Sequence, residues 1–304
     1  MPAEATCAGL IVQAQSGFFT VATDSGNIIC QLRGKLKQGR ATGDLAALGD
    51  RVHIQILSDG SGMIESIEAR ARAIVRLDPR PRGVYRQVLL ANADQAVFVF
   101  ACAHPEPRLR MLDRFLVIAE KQGVPPVIVA NKVDLVSEER ALELFAPYKP
   151  AAYPVLYTSA RTGAGLHQLA SQLAGKISVL AGPSGSGKSS LLNSISPGLD
   201  LRVQKIGVMN KGQHTTVVRK LHPLGDGASY VADTPGWKSL ALWDTQPEEL
   251  DGYFPELRPL VGACRFNDCT HTTEPGCAVR AAVESGQVHP ERYESYVRLR
   301  LGRD

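Results

Sequence analysis

The stretch ISVLAGPSGSGKSSLLNSI, residues 177–195, limits what this chain can fold into more than any other. A β-branched apolar run enters a glycine-rich turn and leaves in a helical pattern, and the turn matches G-x-x-x-x-G-K-[ST] from Gly182 to Ser189. Glycines 182, 185 and 187 let the backbone double back and aim its N–H groups inward, with Pro183, Ser184 and Ser186 between them and Ser190 just beyond. Lys188 adds a point charge for β- and γ-phosphates, and the Ser189 hydroxyl can ligate Mg²⁺. The helix starting near Lys188 points its positive end at the same anion. A Gly/Ser-rich linker would not need the lysine. The segment predicts a nucleoside triphosphate site in an α/β domain with a mostly parallel sheet, ligands lying at the carboxyl ends of the strands.

That turn alone does not choose a base. PPVIVANKVDL, residues 125–135, reads as a buried strand running into a loop that holds Asn131, Lys132, Val133 and Asp134. Asp134 can accept hydrogen bonds from both N1–H and the exocyclic N2–H₂ of guanine. Adenine lacks that donor pair and would leave a carboxylate unpaired, at about 1–3 kcal/mol. Asn131 can tie the purine edge to the loop, and the stem of Lys132 can cover the face of the base. In YTSART, residues 157–162, Ser159 and Ala160 follow the next strand candidate and offer a backbone N–H to guanine O6. An ATP-dependent kinase is disfavoured by Asp134.

A third element, YVADTPGWKSL (230–240), ends a strand in Asp233, Thr234, Pro235 and Gly236. Asp233 is placed to reach Mg²⁺ through water and the Gly236 N–H to sense a γ-phosphate. The polar tract KIGVMNKGQHTTVVRKL (205–221) reads as a switch loop, with Thr215 or Thr216 as the second Mg²⁺ ligand; Thr216 is the choice carried forward. Trp237 stands where many such switches carry a water-orienting glutamine, so His214 is the candidate to position the attacking water, beside Lys188 in the catalytic set. The same tryptophan keeps open a second class, a GTP-gated RNA-binding scaffold whose hydrolysis is incidental. The series runs guanine loop, Ser-Ala loop, phosphate loop, switch threonine, DTPG, which is the usual GTPase order cut once and rejoined. A parallel sheet with surface termini tolerates that cut, so the reading is a circular permutation.

The flanks differ in texture. Before residue 70, AGLIVQAQ, GFFTVAT, NIICQLR, DRVHIQIL and GMIESIEAR read as five short strands, the pattern of a small barrel such as an oligonucleotide-binding fold. Net charge is only +4, yet arginines cluster in residues 69–87 and 292–304, consistent either with a polyanion partner or with solvated helices and a charged linker. No apolar run approaches the length of a membrane span, and the opening lacks a basic region followed by an uninterrupted apolar stretch, so a cytoplasmic setting is expected. Cys7, Cys30 and Cys102 read as core thiols. Cys264, Cys269, His271 and Cys277, in the spacing C-x₄-C-x-H-x₅-C, supply three thiolates and an imidazole, a closed donor set for one structural Zn²⁺. His104, His222 and His289 have no such neighbours in sequence and read as surface or core histidines.

Barrel, permuted GTPase and Cys₃His knuckle in that order resemble the ribosome-small-subunit-dependent GTPase A family along nearly the whole chain. The resemblance implies an N-terminal oligonucleotide-binding barrel (1–70), a circularly permuted P-loop GTPase domain (71–245) and a small helical zinc-binding domain (246–304). It also implies GTP hydrolysis stimulated by the small (30S) ribosomal subunit, a role in late maturation of that subunit, rRNA contacts from the flanking domains, and a histidine, His214 here, that assists hydrolysis. A long basic N-terminal extension present in some members is lacking, which shifts RNA contact onto Arg33, Lys35, Lys37 and the C-terminal arginines. A monomer is expected.

Overall fold

The computed structural model describes residues 6–37, 43–80, 83–199, 219–233 and 245–303. The described residues form two compact units, one drawn from 1–95, 173–180 and 207–236, the other from 96–172, 181–206 and 237–304.

In the first unit the five expected strands are present as β1 (Thr6–Gln15), β2 (Phe18–Thr23), β3 (Gly26–Leu32), β4 (Arg51–Ile56) and β5 (Gly62–Ile67). They pair in the order β1-β2-β3-β5-β4, and β1 closes back on β4, so the sheet becomes a barrel without a free edge. Closure needs β1 to bend from one partner to the other. A bulge between Ile11 and Gln13 supplies the bend, and Gly9 permits the close approach, since a Cβ there would lie 2.4 Å from Val21 Cγ1 and 2.7 Å from the Ala22 carbonyl. Alternate residues point inward, and Ile11, Phe19, Val21, Cys30, Val52, Ile54 and Ile64 fill the interior. Burial pushes the Cys30 thiol up to about 11, which keeps it a neutral core group.

The arginine-rich stretch is neither linker nor surface helix. It forms an antiparallel ribbon of β6 (Ala73–Arg80) and β7 (Gly83–Ala91). Burial of Ile74, Val88, Leu89, Leu90 and Ala91 in the paired strands outweighs the charge density. The ribbon is fastened to the barrel by half-buried polar contacts: Arg70 donates to both carboxylate oxygens of the fully buried Asp50, at 2.7 and 2.8 Å, and Asp44 accepts from Tyr85 OH at 2.7 Å and Val88 N–H at 2.9 Å. Farther along, β11 (Ile177–Ala181) pairs in parallel with β13 (Tyr230–Asp233), which pairs with β12 (Arg219–Pro223), which in turn joins β1.

The second unit holds the parallel strands β8 (Gln95–Ala101), β9 (Pro126–Asn131) and β10 (Val155–Thr158) in the order β10-β9-β8. β8 and β9 are buried from end to end, which is why they read as unbroken apolar runs. α1 (Leu109–Lys121) connects β8 to β9, and α2 (Glu138–Phe145) connects β9 to β10, capped by Ser137, whose hydroxyl accepts from Arg140 N–H at 3.2 Å. α3 (Leu166–Leu173) follows β10, α4 (Lys188–Ile195) follows the glycine-rich turn, and α5 (Ala278–Glu284) and α6 (Pro290–Arg300) close the chain.

α6 shares one apolar core with α1 and the segment from 250: Val117, Leu250, Phe254, Leu257, Val279, Val288 and Tyr296. Inside that core lies Arg292. Its Nη1 donates to Asp113 Oδ1 at 2.7 Å and its Nε to Glu256 Oε1 at 2.6 Å, its guanidinium lies 4.6 Å from the Phe254 ring centroid, and Asp113 also accepts from Tyr148 and Ser295. Two buried carboxylates share one cation, so removing the arginine strands both. Arg292→Ala is expected to lower unfolding stability by about 3–5 kcal/mol in urea denaturation, and Arg292→Lys, which keeps charge but not the planar fork, by less. Equal stability of wild type and Arg292→Ala would show that the pair carries no load.

Candidate nucleotide site and metal centre

The phosphate loop leaves β11 at Gly182. There φ is +154°, and a Cβ would sit 2.1 Å from the Val99 carbonyl, so only glycine fits beneath β8. Gly185 and Gly187 also have positive φ, at +78° and +96°, and Gly187 serves as the N-cap of α4. Lys188 opens α4 and folds back over the loop, its Nζ 3.1 Å from the Gly182 carbonyl and 3.0 Å from that of Pro183. Those oxygens hold the ammonium against the loop. Ser189 and Ser190 occupy the first turn of α4, Ser184 is exposed at the tip, and Ser186 is fully buried.

Asn131 ends β9 directly beside this loop. Its Nδ2 donates to the Ser186 carbonyl at 2.8 Å, and its Oδ1 accepts from Thr158 Oγ1 at 3.1 Å. Lys132 is left-handed, with φ 63° and ψ 38°, which turns the chain into a short 3-10 turn over Val133–Leu135. Its ammonium is held by the His104 carbonyl, and burial lowers its pKa. Asp134 projects from that turn. Its Oδ1 accepts from Ser159 Oγ at 2.5 Å and its Oδ2 from Arg161 Nε at 2.8 Å. The Ser159 hydroxyl first, then Arg161, hold the carboxyl below its ordinary range, so it stays ionised and acceptor-only. The Ser159 loop is set by Gly165, φ +67°, whose absent Cβ would meet the Tyr157 carbonyl at 2.0 Å. Ser159 N–H bonds the Ala164 carbonyl at 2.9 Å, and Ala160 comes next, at the turn.

Asp233 is the last residue of β13, with Leu180 of β11 opposite it. His214, Thr215, Thr216, Gly236 and Trp237 lie outside the described residues.

The cysteine cluster draws Cys264, Cys269, His271 and Cys277 together, with ligand atoms all within 4.8 Å of one another. Cys264 Sγ is 3.9 Å from Cys277 Sγ and 3.4 Å from His271 Nδ1, and Cys277 Sγ is 3.5 Å from the same nitrogen. A tetrahedral zinc with bonds of about 2.3 Å to sulfur and about 2.0 Å to nitrogen has S···S edges near 3.8 Å and S···N edges near 3.5 Å. The donor set fits that ion. The far nitrogen of His271 lies 3.3 Å from Asp251 Oδ2, a carboxylate placed to orient the ring, and Ala278 and Arg280 N–H groups approach Cys264 and Cys277 sulfurs at 3.3 and 3.5 Å. Glu274 ties the intervening loop by accepting from Thr270 Oγ1 at 2.5 Å and from Thr270, Thr272 and Thr273 N–H groups at 2.9–3.0 Å. Those bonds, the Thr270 hydroxyl foremost, bring its carboxyl down to about 2.

Three functional neighbours escape the sequence reading. Arg161 stood next to the Ser159–Ala160 pair and carried a charge, which was the signal available. Thr158 was hidden as a strand residue. Asp251 lies well upstream of His271 and belongs to no spacing pattern.

The family model for the RsgA N-terminal domain matches residues 8–64, and that for RsgA GTPase matches 67–243. The small ribosomal subunit biogenesis GTPase RsgA of Gemmatimonas aurantiaca is 47% identical over 303 residues, covering 96% of both chains, and that of Moorella thermoacetica is 41% identical over 290 residues, covering 95% of this chain and 94% of the relative. Among solved structures, YjeQ from Thermotoga maritima superposes with a TM-score of 0.78 at 38% identity, covering 98% and 99% of the two chains. YloQ, a circularly permuted GTPase, does so with 0.76 at 32%, covering 98% and 95%. Likeness this even along the whole length is inheritance of one permuted architecture and its GTP hydrolysis, and the chain belongs to the RsgA GTPase family.

Proposed function

We propose that GTP turnover by this chain is switched on by the small (30S) ribosomal subunit, and that it acts in late maturation of that subunit while held on rRNA. The observation that carries this is the 96% mutual coverage with a relative whose name assigns it to small-subunit biogenesis. The barrel supports it. Phe18 and Ile29 are 50% and 60% exposed on neighbouring strands, where Phe18 pairs with Gln31 and Thr20 with Ile29, so both project from one outer face. An aromatic and an aliphatic platform there suits unstacked bases. Arg33 and Lys35 lie beside it on Glu65, Lys35 at 3.2 Å, so one positive charge remains uncancelled in that trio; the side chain of Lys37 lies outside the described residues.

In this reading residues 1–70 bind RNA, 71–245 hydrolyse GTP and 246–304 form the zinc-bearing domain. Asp134 reads guanine, Asn131 and Lys132 frame the base, Ser159 and Ala160 face its O6, and Gly182–Ser190 cradle the phosphates with Lys188. Mg²⁺, on Ser189, Thr216 and through water Asp233, would neutralise charge developing on the phosphates. Gly236 senses the γ-phosphate and His214 positions water. The protein works as a cytoplasmic monomer; among the described residues no helix is long and apolar enough to cross a membrane.

GTP turnover measured with and without purified small subunits tests the proposal, with large subunits and ATP as controls. Strong stimulation by the small subunit alone is expected, lost in His214→Ala. Tight GTP binding without stimulation would leave a nucleotide-gated RNA-binding scaffold.

For the base reader, Asp134→Asn exchanges an acceptor for a donor and should weaken guanosine nucleotides roughly tenfold to a hundredfold while admitting xanthosine nucleotides, whose C2 oxygen accepts. Unchanged GTP affinity in a nucleotide titration would remove Asp134 from that role.

For the knuckle, elemental analysis should find one zinc per chain, absent in Cys264→Ser, and metal removal should make residues 246–304 sensitive to proteolysis. A zinc-free chain equally resistant to protease would refute a structural ion.

A further inference from the structure

Asp134 has a partner that resembles the base it is proposed to read. Its side chain is only 9% exposed, and one oxygen accepts from Arg161 Nε at 2.8 Å, while Arg161 itself is 74% exposed. The N1–C2–N2 edge of guanine is a guanidine closed into a ring, with N–H donors on two nitrogens of one carbon. Arginine carries the same group on a flexible stem, with a full positive charge. The arginine therefore meets the same carboxylate with the same chemistry.

We infer that Arg161 is a built-in competitor for guanine. It neutralises and orients the Asp134 carboxylate when no base is there, and leaves when N1–H and N2–H₂ arrive. The inference rests on Asp134 being the guanine reader. Ser159, fully buried and bonded to the other oxygen at 2.5 Å, keeps the carboxylate in place during the exchange, while Arg161 meets it from the solvent side by which a base would approach. Arg161 is suited to leaving. Most of its side chain already contacts solvent, so little hydration must be regained, whereas Ser159 is fully buried and stays. The neighbouring cations are arranged alike: Lys132 on the His104 carbonyl and Lys188 on the Gly182 and Pro183 carbonyls are each held by an acceptor of the protein itself. Arg161 differs in holding the atoms that the base must contact. A base without the paired donors cannot take its place, so the competitor adds selectivity to Asp134 as well as holding it.

Stopped-flow binding of a ribose-labelled fluorescent GDP to the full chain separates this from a structural role. Arg161→Ala should raise the association rate constant about two- to fivefold, the factor expected from removing a partly exposed ion pair, with dissociation unchanged within about twofold and affinity tightened accordingly. Arg161→Lys, lacking the fork, should fall between. In an Asp134→Asn background, Arg161→Ala should give no gain in association. An unchanged or slower association in Arg161→Ala, or a faster dissociation, overturns the inference, since an arginine that merely braces the loop or covers the base would weaken binding when cut. If Asp134→Asn alone binds guanosine nucleotide undiminished, the assignment of the reader fails first and Arg161 has nothing to compete for.

Discussion

A single carboxamide joins the two halves of the nucleotide site. Asn131 is 1% exposed and donates to the Ser186 carbonyl across 55 residues of chain, while Thr158 fixes its other end. Inside a low-dielectric core such bonds must all be made, because an unpaired amide there costs more than the bond returns in water. The fit is also steric. A Cβ at Gly187 would lie 2.2 Å from Asn131 Nδ2, so the glycine pattern of the phosphate loop answers to the guanine loop as well as to phosphate. In a permuted chain, where the Asn131–Asp134 loop comes first, this contact ties that loop to the glycine-rich loop 182–190.

The closing segment relies on a different economy. The apolar core that α6 and the segment from 250 share with α1 holds a guanidinium between two carboxylates. Such a hub gives little net stability compared with an apolar core of equal volume, but it tolerates only one arrangement of its three charges. The knuckle adds order of a similar kind. Four donors at tetrahedral spacing, a carboxylate behind the histidine and a glutamate gathering three backbone N–H groups specify a loop that has little apolar burial of its own. Residues 245–303 thus add directional bonds to an apolar core of their own, whereas the barrel interior is filled by apolar side chains.

Much of this was legible in residue order. Five short strand-like runs showed the barrel, the apolar run ahead of Asn131 showed β9, and the glycine-rich turn marked the start of α4. Cys264, Cys269, His271 and Cys277 announced a donor set by spacing alone. The ribbon β6–β7 was harder to read, because dense arginine masked the apolar residues Ile74, Val88, Leu89 and Leu90, which are buried once the two strands pair. Asp113 carried no signal of its own in the sequence. It interrupts the apolar face of α1 as a charged residue, and its burial makes sense only beside Arg292, 179 residues away. Arg161 was visible as a charge but not as a partner of Asp134, since hydrogen bonding across two loops leaves no trace in spacing.

Local grammar by itself determined the strand, turn and helix of the phosphate loop, the identity of its glycines, the acceptor chemistry of Asp134, the order of motifs that makes the domain permuted, and the ligand types of the knuckle. These depend on backbone conformation and functional groups within a few residues of one another. Tertiary structure alone decided which loops touch: Asn131 on Ser186, Arg161 on Asp134, Asp251 behind His271, Arg292 between Asp113 and Glu256. Each of these is a directional polar contact, several of them buried, between distant parts of the chain. Its energy depends on distance and desolvation set by the packed core, and neither quantity exists until the chain has folded.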